Sequence, residues 1–556
     1  MRSPARLLAL LALLTALPLA CARLDPGTGL PGISLAELRR EVEFLASDKL
    51  AGREVGSAGI ASAEQYIARS FASSGLKPLP GHGSFFQEFS LYRTGFPEGS
   101  TTLGLEAPGG RLQGTAGRDF RPFEFSGSGQ RTAPVVFAGY GITAPEYGWD
   151  DYQGLEVKGS FVLILRHEPG NADPRSKFAG TSNTPHAYFR AKAENALARG
   201  AAGLLLVDDP LSSGPREDLS LPVSYSLRPP ARSFALSPGF LAVHLSRELT
   251  GKLIANTGLD LLGLQKAVDA GRRPAGLSLG AVRASLRIPL RQTRRIQARN
   301  VVGFLEGSDP SLRGQWLLIG AHHDHLGVSN AAGDSIYNGA DDNASGVAGV
   351  LALARLFARH GPWRPPEAAS RGGRAAPPAA RGLALPDWVP FRPPPPAPRR
   401  GLVFATFSAE EEGLWGSRVL ARELAQEGSG EQAGRLVRML NLDMIGRNPE
   451  QPVQVLANDP DGEIRRIVET AQAAPPARRA AARLAPPALR LSSGHGEMAS
   501  DHASFFRQGV PYLFFFTGLN PDYHEVSDEA DRLSYPLLAG VVSLAWRVAS
   551  LLAEEP

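Results

Sequence analysis

IGAHHDHLGVSNAAGDSIYNGADDNASG, residues 319–346, is the stretch from which the fold is read. It holds three histidines and four aspartates among small residues. It opens where the apolar run Trp316, Leu317, Leu318, Ile319 stops, so that run predicts a buried strand and the stretch its mouth. It closes where VAGVLALARLFARH (347–360) takes on helical periodicity, with Asn343 or Ser345 available as N-cap. Imidazoles and carboxylates at a strand end beside a Gly-rich loop are the donors that a borderline divalent ion such as zinc takes. A lone HxD is common in solvated loops. Here it is followed by GADDNASG and by further acidic and His motifs downstream.

Four such motifs follow. LVFATFSAEEEGLWGS (402–417) carries Glu410, Glu411 and Glu412 to the end of an apolar run, and three adjacent carboxylates repel unless cations or a proton hold them. MLNLDMIGR (439–447) puts one carboxylate, Asp443, inside an apolar strand pattern, where burial is costly unless it is paired or on a metal. SGHGEMASDHASFFRQGVPYLFFFTG (493–518) sets Ser500, Asp501 and His502 before a short helix and a very apolar strand. NPDYHEVSDEADRL (520–533) holds His524 between Tyr523 and Glu525.

In this order the motifs resemble the di-zinc exopeptidases, the family of the bacterial leucyl aminopeptidases and glutamate carboxypeptidase II, with the glutaminyl cyclases as divergent relatives. The resemblance covers about residues 35–128 and 295–556. It implies an α/β three-layer sandwich with a mixed central sheet and two Zn2+ per chain. It makes Asp341 the bridge between the metals, with His322 and Asp443 on one and Glu411 and His524 on the other. Glu410 becomes the general base acting on a metal-bridging hydroxide, Asp324 the carboxylate that orients His322, and Tyr523 an aid to the oxyanion. Matching Gly413-Leu414 to the family's AEE-x-GL pattern selects Glu410 and Glu411 from the glutamate run and leaves Glu412 spare. His323, His325 and Asp342 are not required as ligands. The implied activity is an aminopeptidase acting on peptides. Its rivals are a carboxypeptidase of the same family, needing a cation for the substrate's C-terminus, and an inactive binding protein on the same fold, which loss of ligands would mark.

Outward from these motifs the chain divides. Residues 1–21 read as an export signal: Arg2 and Arg6 precede an apolar core, Leu7 to Ala20, too short to span a bilayer comfortably. Cys21, the sole cysteine, follows it directly. Two readings stand: an acylated lipoprotein cysteine attaching the protein to a membrane, or cleavage after Ala20-Cys21-Ala22 releasing a soluble protein. Both place it outside the bacterial cytoplasm without an intramolecular disulfide. Residues 33–130 read as the N-terminal part of the peptidase domain, opening with a helix striped by Leu35, Leu38, Val42 and Leu45. Residues 131–290 resemble a protease-associated domain, on AGYGITAPEYGWDDYQGLEVKG and KAENALARGAAGLLLVDD; His167 and His186 there stand alone and read as surface or core histidines. Residues 291–556 complete the catalytic domain, interrupted at 361–400 by a Pro-, Arg- and Ala-rich insertion with the composition of a disordered linker. At 473–490 a loop with a short helix is expected. A net charge of +4 with scattered arginines gives no nucleic-acid footprint.

Overall fold

A computed structural model describes residues 33–97, 99–107, 110–214, 217–229, 235–255, 260–271, 278–329, 333–363, 398–426, 434–458, 462–473, 487–493 and 500–555. The export segment with Cys21, residues 364–397 of the Pro-rich insertion and residues 474–486 of the 473–490 loop lie outside them. The chain is α/β and forms two compact units: residues up to Ser90 with Ile296–Pro556, and Leu91–Arg295.

The first unit is built on strands β1 (Phe86–Gly95), β2 (Gln292–Leu305), β3 (Gln315–His322), β4 (Gly401–Phe407), β5 (Arg435–Leu442), β6 (Val453–Ala457), β7 (Leu489–Ser493) and β8 (Tyr512–Phe516). Their order in the sheet is β1-β2-β4-β3-β5-β8-β6-β7. Strands β4, β3, β5 and β8 are mutually parallel neighbours, whereas β2 runs antiparallel to β4 and β6 antiparallel to β8. The sheet is therefore mixed, and four C-terminal strand ends open on one edge.

Both faces are covered. On β3, Leu317, Ile319 and Ala321 join one apolar cluster while Trp316 and Leu318 join another; on β4, Leu402 and Phe404 face the first and Val403, Ala405 and Phe407 the second. That is the period of two of a strand buried on both sides. The first cluster takes in helices α1 (Leu35–Leu45), α2 (Ala58–Ser73), α3 (Gly346–His360) and α5 (Glu463–Ala473), and the second α4 (Trp415–Gln426) with Phe505 of the short α6 (His502–Phe506). Helix α7 (Tyr535–Glu554) is long and apolar enough to cross a membrane, but 83% of its most apolar window is buried within the structure and its apolar residues join the first cluster, as in a core helix. Helix α1 begins at Ser34, whose Oγ accepts from Glu37 N, and buries Leu38, Val42 and Leu45 of the expected stripe.

The second unit has an eight-stranded sheet, in order Gly110–Gly114, Thr102–Ala107, Ser278–Ile288, Gly129–Phe137, Phe161–Leu165, Gly203–Val207, Leu241–Leu245 and Phe120–Pro122. Its centre is parallel and its flanks antiparallel. Helix Phe189–Ala198 precedes strand Gly203–Val207. The boundaries expected from sequence are corrected here. Strands Thr102–Ala107, Gly110–Gly114 and Phe120–Pro122 pair within this sheet and not with the peptidase sheet. Short alternating runs fit an edge of either sheet, and for Thr102–Ala107 and Phe120–Pro122 the choice is made by partners more than a hundred residues away.

Candidate metal centre

The parallel neighbours β4, β3, β5 and β8 deliver their next residues to a common edge, where ligands gather in open α/β sheets. His322 is the last residue of β3, Glu410 and Glu411 follow β4, Asp443 follows β5 directly, and His524 lies on the loop after β8. Backbone left-handed at Ala409 (φ 59°), Met444 (φ 50°) and His524 (φ 57°) turns the chain sharply at three of these points. Such angles are uncommon for residues other than glycine and gather at functional sites. Helix α3 is capped from the same loop, Asn343 Oδ1 accepting from Gly346 N at 2.9 Å, while Ser345 Oγ donates to Asp341 O.

The carboxylate at the centre is that of Asp342. Its Oδ1 lies 3.2 Å from His322 Nε2 and its Oδ2 3.2 Å from His524 Nε2. Asp443 Oδ1 stands 3.4 Å from His322 Nε2, and Glu411 Oε2 stands 3.2 Å from His524 Nε2. The two imidazoles thus share Asp342, and each has a second carboxylate of its own. The bridging position expected for Asp341 is corrected. Asp341 accepts from Gly446 N at 2.8 Å and from Asn520 Nδ2 at 3.0 Å, which engages both of its oxygens away from the histidines. Asp341 and Asp342 are chemically identical neighbours, and the twist of the loop decides which one faces the imidazoles. The loop is held by Asp528, whose carboxylate accepts from the backbone N–H of both.

Glu410 lies beside His322, and among the described residues its carboxylate makes no hydrogen bond or ion pair. Glu411 Oε1 also meets His325 Nδ1 at 2.7 Å, so His325, which the motif match left out, belongs to the cluster. Asp324 also has a part the motif match did not give it: its two oxygens accept from the backbone N–H of Glu410 and Glu411 at 3.1 and 3.2 Å. The nearest acceptor for His322 Nδ1 is the backbone carbonyl of Asp324 at 3.3 Å, its carboxylate standing at 3.9 Å. Asp324 therefore positions the glutamates more directly than the imidazole. Ser500 Oγ donates to Asp443 Oδ2 at 2.7 Å and itself accepts from Asn441 Nδ2 at 2.7 Å. Tyr523, 39% exposed, stacks on the His524 ring with centroids 3.9 Å apart.

Sequence reasoning missed Arg53. It is fully buried beneath the cluster and donates to four backbone carbonyls, those of Leu45, His323, Asn338 and Gly339. It ties together the two loops that carry His322 and Asp342. The only sequence signal was the Gly-Arg pair in a Gly-rich loop: Gly52, at φ 66°, passes so close to Gly327 O that an added Cβ would sit 2.2 Å from it. Burial lowers the Arg53 guanidinium to about 10, while Asp324 and Asp342 oppose the shift.

The electrostatics follow from crowding. Burial works against charging His524, but the hydrogen bonds its ring donates to the Asp342 and Glu411 carboxylates outweigh it and raise the ring to about 10. His322 is raised for the same reason, burial being outweighed by Glu410 and Asp443. Glu410 is pushed well above the carboxylate range, by burial first and by Asp501 and Glu411 against the pull of His322. Such a set calls for positive charge held among its oxygens. Buried Asp443 Oδ1 has no hydrogen-bond partner, and the ligand-type groups His322/Asp342/Asp443 and His325/Asp342/Glu411 share one carboxylate. Imidazole and carboxylate donors in two groups around a common carboxylate fit two borderline divalent ions.

Comparison with known proteins agrees with this geometry. Residues 300–549, which contain His322, Asp342, Glu410, Glu411, Asp443 and His524, match the model of peptidase family M28. A probable leucine aminopeptidase of Arthroderma benhamiae is 27% identical over 281 residues, 46% of this chain. The match spans 64% of that relative's own length. The aminopeptidase NAALADL1 of Rattus norvegicus is 23% identical over 392 residues, 60% of this chain and 43% of the relative. Among solved structures, an aminopeptidase from Aneurinibacillus sp. strain AM-1 shares the fold with TM-score 0.56 and 20% identity, covering 96% of this chain and 97% of that one. The segment that carries the whole cluster, residues 300–549, is thus similar to peptidase family M28.

Proposed function

We propose that the protein is an exported, zinc-dependent aminopeptidase that removes N-terminal residues from peptides. The observation that carries this reading is the pair of imidazoles, His322 and His524, converging on Asp342 with Asp443 and Glu411 on either side. Zinc, when bound by these five residues, supplies a Lewis acid for the scissile carbonyl and makes the attacking water acidic enough to ionise near neutral pH. The remaining work falls to the chain. Glu410, free of other bonds, takes the proton of the attacking water and returns it to the leaving amine. Asp324 fixes the backbone of Glu410 and Glu411, so that base and ligand keep their separation. Ser500 and Asn441 fix Asp443, as outer partners of metal ligands do. Tyr523, half-exposed beside His524, is positioned to donate to the developing oxyanion.

Arg53, the buried cation beneath the cluster, is committed to backbone carbonyls. A cluster of carboxylates suits a substrate's α-ammonium better than its carboxylate, which favours the aminopeptidase over the carboxypeptidase. The deciding experiment is a panel of peptides with free and blocked N-termini, assayed with and without zinc, beside zinc analysis of the purified protein. Cleavage of free N-termini only, with close to two zinc ions per chain, is expected. Release from the C-terminus, or one metal or none after zinc loading, refutes the reading. Export and attachment are part of the proposal: Cys21→Ser is expected to move the protein out of the membrane fraction, whereas a wild type already soluble and starting at Arg23 favours cleavage without a lipid. The unit Leu91–Arg295 is proposed to be a protease-associated module.

A further inference from the structure

The turn that carries Glu410 and Glu411 is closed on itself. Its neck is the pair Ser408 and Gly416: Gly416 N donates to Ser408 O at 2.9 Å, and Trp415 N donates to Ala409 O at 2.9 Å. At its apex Glu410 O accepts from Gly413 N at 2.8 Å and from Leu414 N at 2.9 Å. Left-handed backbone at Ala409, Gly413 and Leu414 (φ 59°, 117° and 61°) bends the chain through it. For residues other than glycine such conformations are costly and persist only where the surroundings hold them. Asp324 holds the apex, through the N–H groups of Glu410 and Glu411. The neck needs a holder of its own, because the backbone ladder between β2 and β4 ends with Val301 opposite Thr406, two residues short of Ser408.

Asn300 takes over where the ladder stops. It stands on β2, one residue before Val301, and is fully buried. Its Oδ1 accepts from Ser408 N at 3.1 Å and its Nδ2 donates to Gly416 O at 2.8 Å, so one side-chain amide grips both sides of the neck as a peptide group would. The second N–H of Nδ2 goes to Gln87 Oε1 at 2.7 Å. Gln87 Nε2 in turn donates to Glu423 Oε2 on α4, and Glu423 Oε1 meets His82 Nε2 at 2.6 Å. With an N–H facing one end of the amide and two acceptors facing the other, its sense is fixed. The approach is close: a Cβ added to Gly416 would stand 2.3 Å from Asn300 Oδ1 and 2.4 Å from Ser408 O, so the neck admits only glycine there.

We propose that Asn300 is a positioning residue of the reaction, setting the neck of the Glu410–Glu411 turn and thereby the place of the general base and of the ligand beside it. What the turn does rests on the peptidase reading; how the turn is held rests on the hydrogen bonds alone. Asn300 is 0% exposed and offers nothing to a substrate, so its loss should slow the chemical step without weakening substrate binding. Aspartate has nearly the same shape but cannot donate. In Asn300→Asp an oxygen faces Gly416 O and Gln87 Oε1, and repulsion replaces the two bonds that hold the neck.

The test compares wild type and Asn300→Asp, as full chains, by amide hydrogen exchange read by mass spectrometry and by steady-state kinetics on a peptide with a free N-terminus. Exchange in fragments spanning 408–416 is expected to quicken about 10- to 100-fold, the worth of leaving one buried hydrogen-bonding group unsatisfied, while exchange in β3 and β5 stays as in wild type. The kcat is expected to fall about 10- to 100-fold, as misplacing a reacting group by an ångström does, with KM within about threefold of wild type. Exchange that quickens equally throughout the unit, or not at all at 408–416, overturns the proposal. So does quickened exchange with kcat unchanged, or a loss confined to KM. If wild type cleaves no peptide, the peptidase reading fails and the kinetic half of the proposal with it; quickened exchange at 408–416 then still upholds the clamp, and unchanged exchange refutes both. Should Asn300→Asp fail to fold, Asn300→Ser, which buries no charge and is too short to grip both sides of the neck, carries the same measurements with the same outcomes.

Discussion

Asp342→Asn and Asp341→Asn change neighbouring residues in the same way, and the structure predicts opposite results. Asp342 Oδ1 and Oδ2 each lie 3.2 Å from a histidine Nε2, one from His322 and one from His524. An asparagine there keeps one oxygen and turns the other into an N–H2 group facing an imidazole. Both candidate metal positions lose a shared anionic donor at once. Removing an outer partner of a metal ligand typically lowers metal affinity by about 10–100-fold, and loss of a shared ligand is expected to exceed that range. Asp341 is different. Its oxygens accept from Gly446 N and Asn520 Nδ2, so Asp341→Asn leaves one buried donor facing another. That costs about 1–3 kcal/mol, or roughly 3 °C in melting temperature for a 2 kcal/mol loss in a unit of this size. Zinc content by mass spectrometry, measured beside thermal melts, separates the two. Asp342→Asn should lose metal while the melt of its metal-free form changes little in comparison. Asp341→Asn should keep metal and melt earlier. If Asp341→Asn empties the site while Asp342→Asn retains two zinc ions, the geometric assignment of the bridge is wrong.

Three further outcomes are expected. Glu410→Gln should retain zinc yet slow turnover by roughly 10²–10⁴-fold, the worth of general acid–base catalysis, whereas Glu411→Gln should lose metal along with activity; loss of metal from Glu412→Gln with Glu410→Gln still active would shift the register by one residue. Ser500→Ala, which removes the hydrogen bond to Asp443 Oδ2, should weaken zinc affinity by about 10–100-fold in a chelator competition, and unchanged affinity would deny Ser500 a positioning role. Lys192 is depressed to about 7 in the folded protein, so between that pH and the unfolded value of about 10.4 the unfolded chain binds a proton that the folded one does not. Stability therefore rises with pH across this window. Urea melts at pH 7.5 and 9.5 should show that rise in wild type and a smaller one in Lys192→Met; equal slopes would contradict the depressed amine.

Much of the peptidase unit was legible from periodicity and motif order. Trp316–Ile319 announced β3, and the acidic and His motifs announced the strand ends that parallel neighbours bring to one edge. Glu410 and Glu411 were selected from three adjacent glutamates by matching Gly413-Leu414 to the AEE-x-GL pattern of the family the motifs resemble. Nothing comparable distinguishes Asp341 from Asp342, since both precede the same helix and differ only in the direction their side chains take. That direction depends on Asp528 accepting both backbone N–H groups, a contact some 187 residues away in sequence. The bonds of Asp324 to the glutamate backbone were not legible for a related reason, because they reach N–H groups 86 and 87 residues on. Arg53 stayed hidden because its partners are backbone carbonyls, which have no residue identity to match. The assignment of strands between residues 91 and 130 also depended on distant partners, as Thr102–Ala107 pairs with Ser278–Ile288. The sequence by itself determined which residue types meet at the centre and on which strand ends they stand, because period and chemistry are local. Which oxygen faces which nitrogen was left to the tertiary structure, because it is set by hydrogen bonds between loops far apart in the chain.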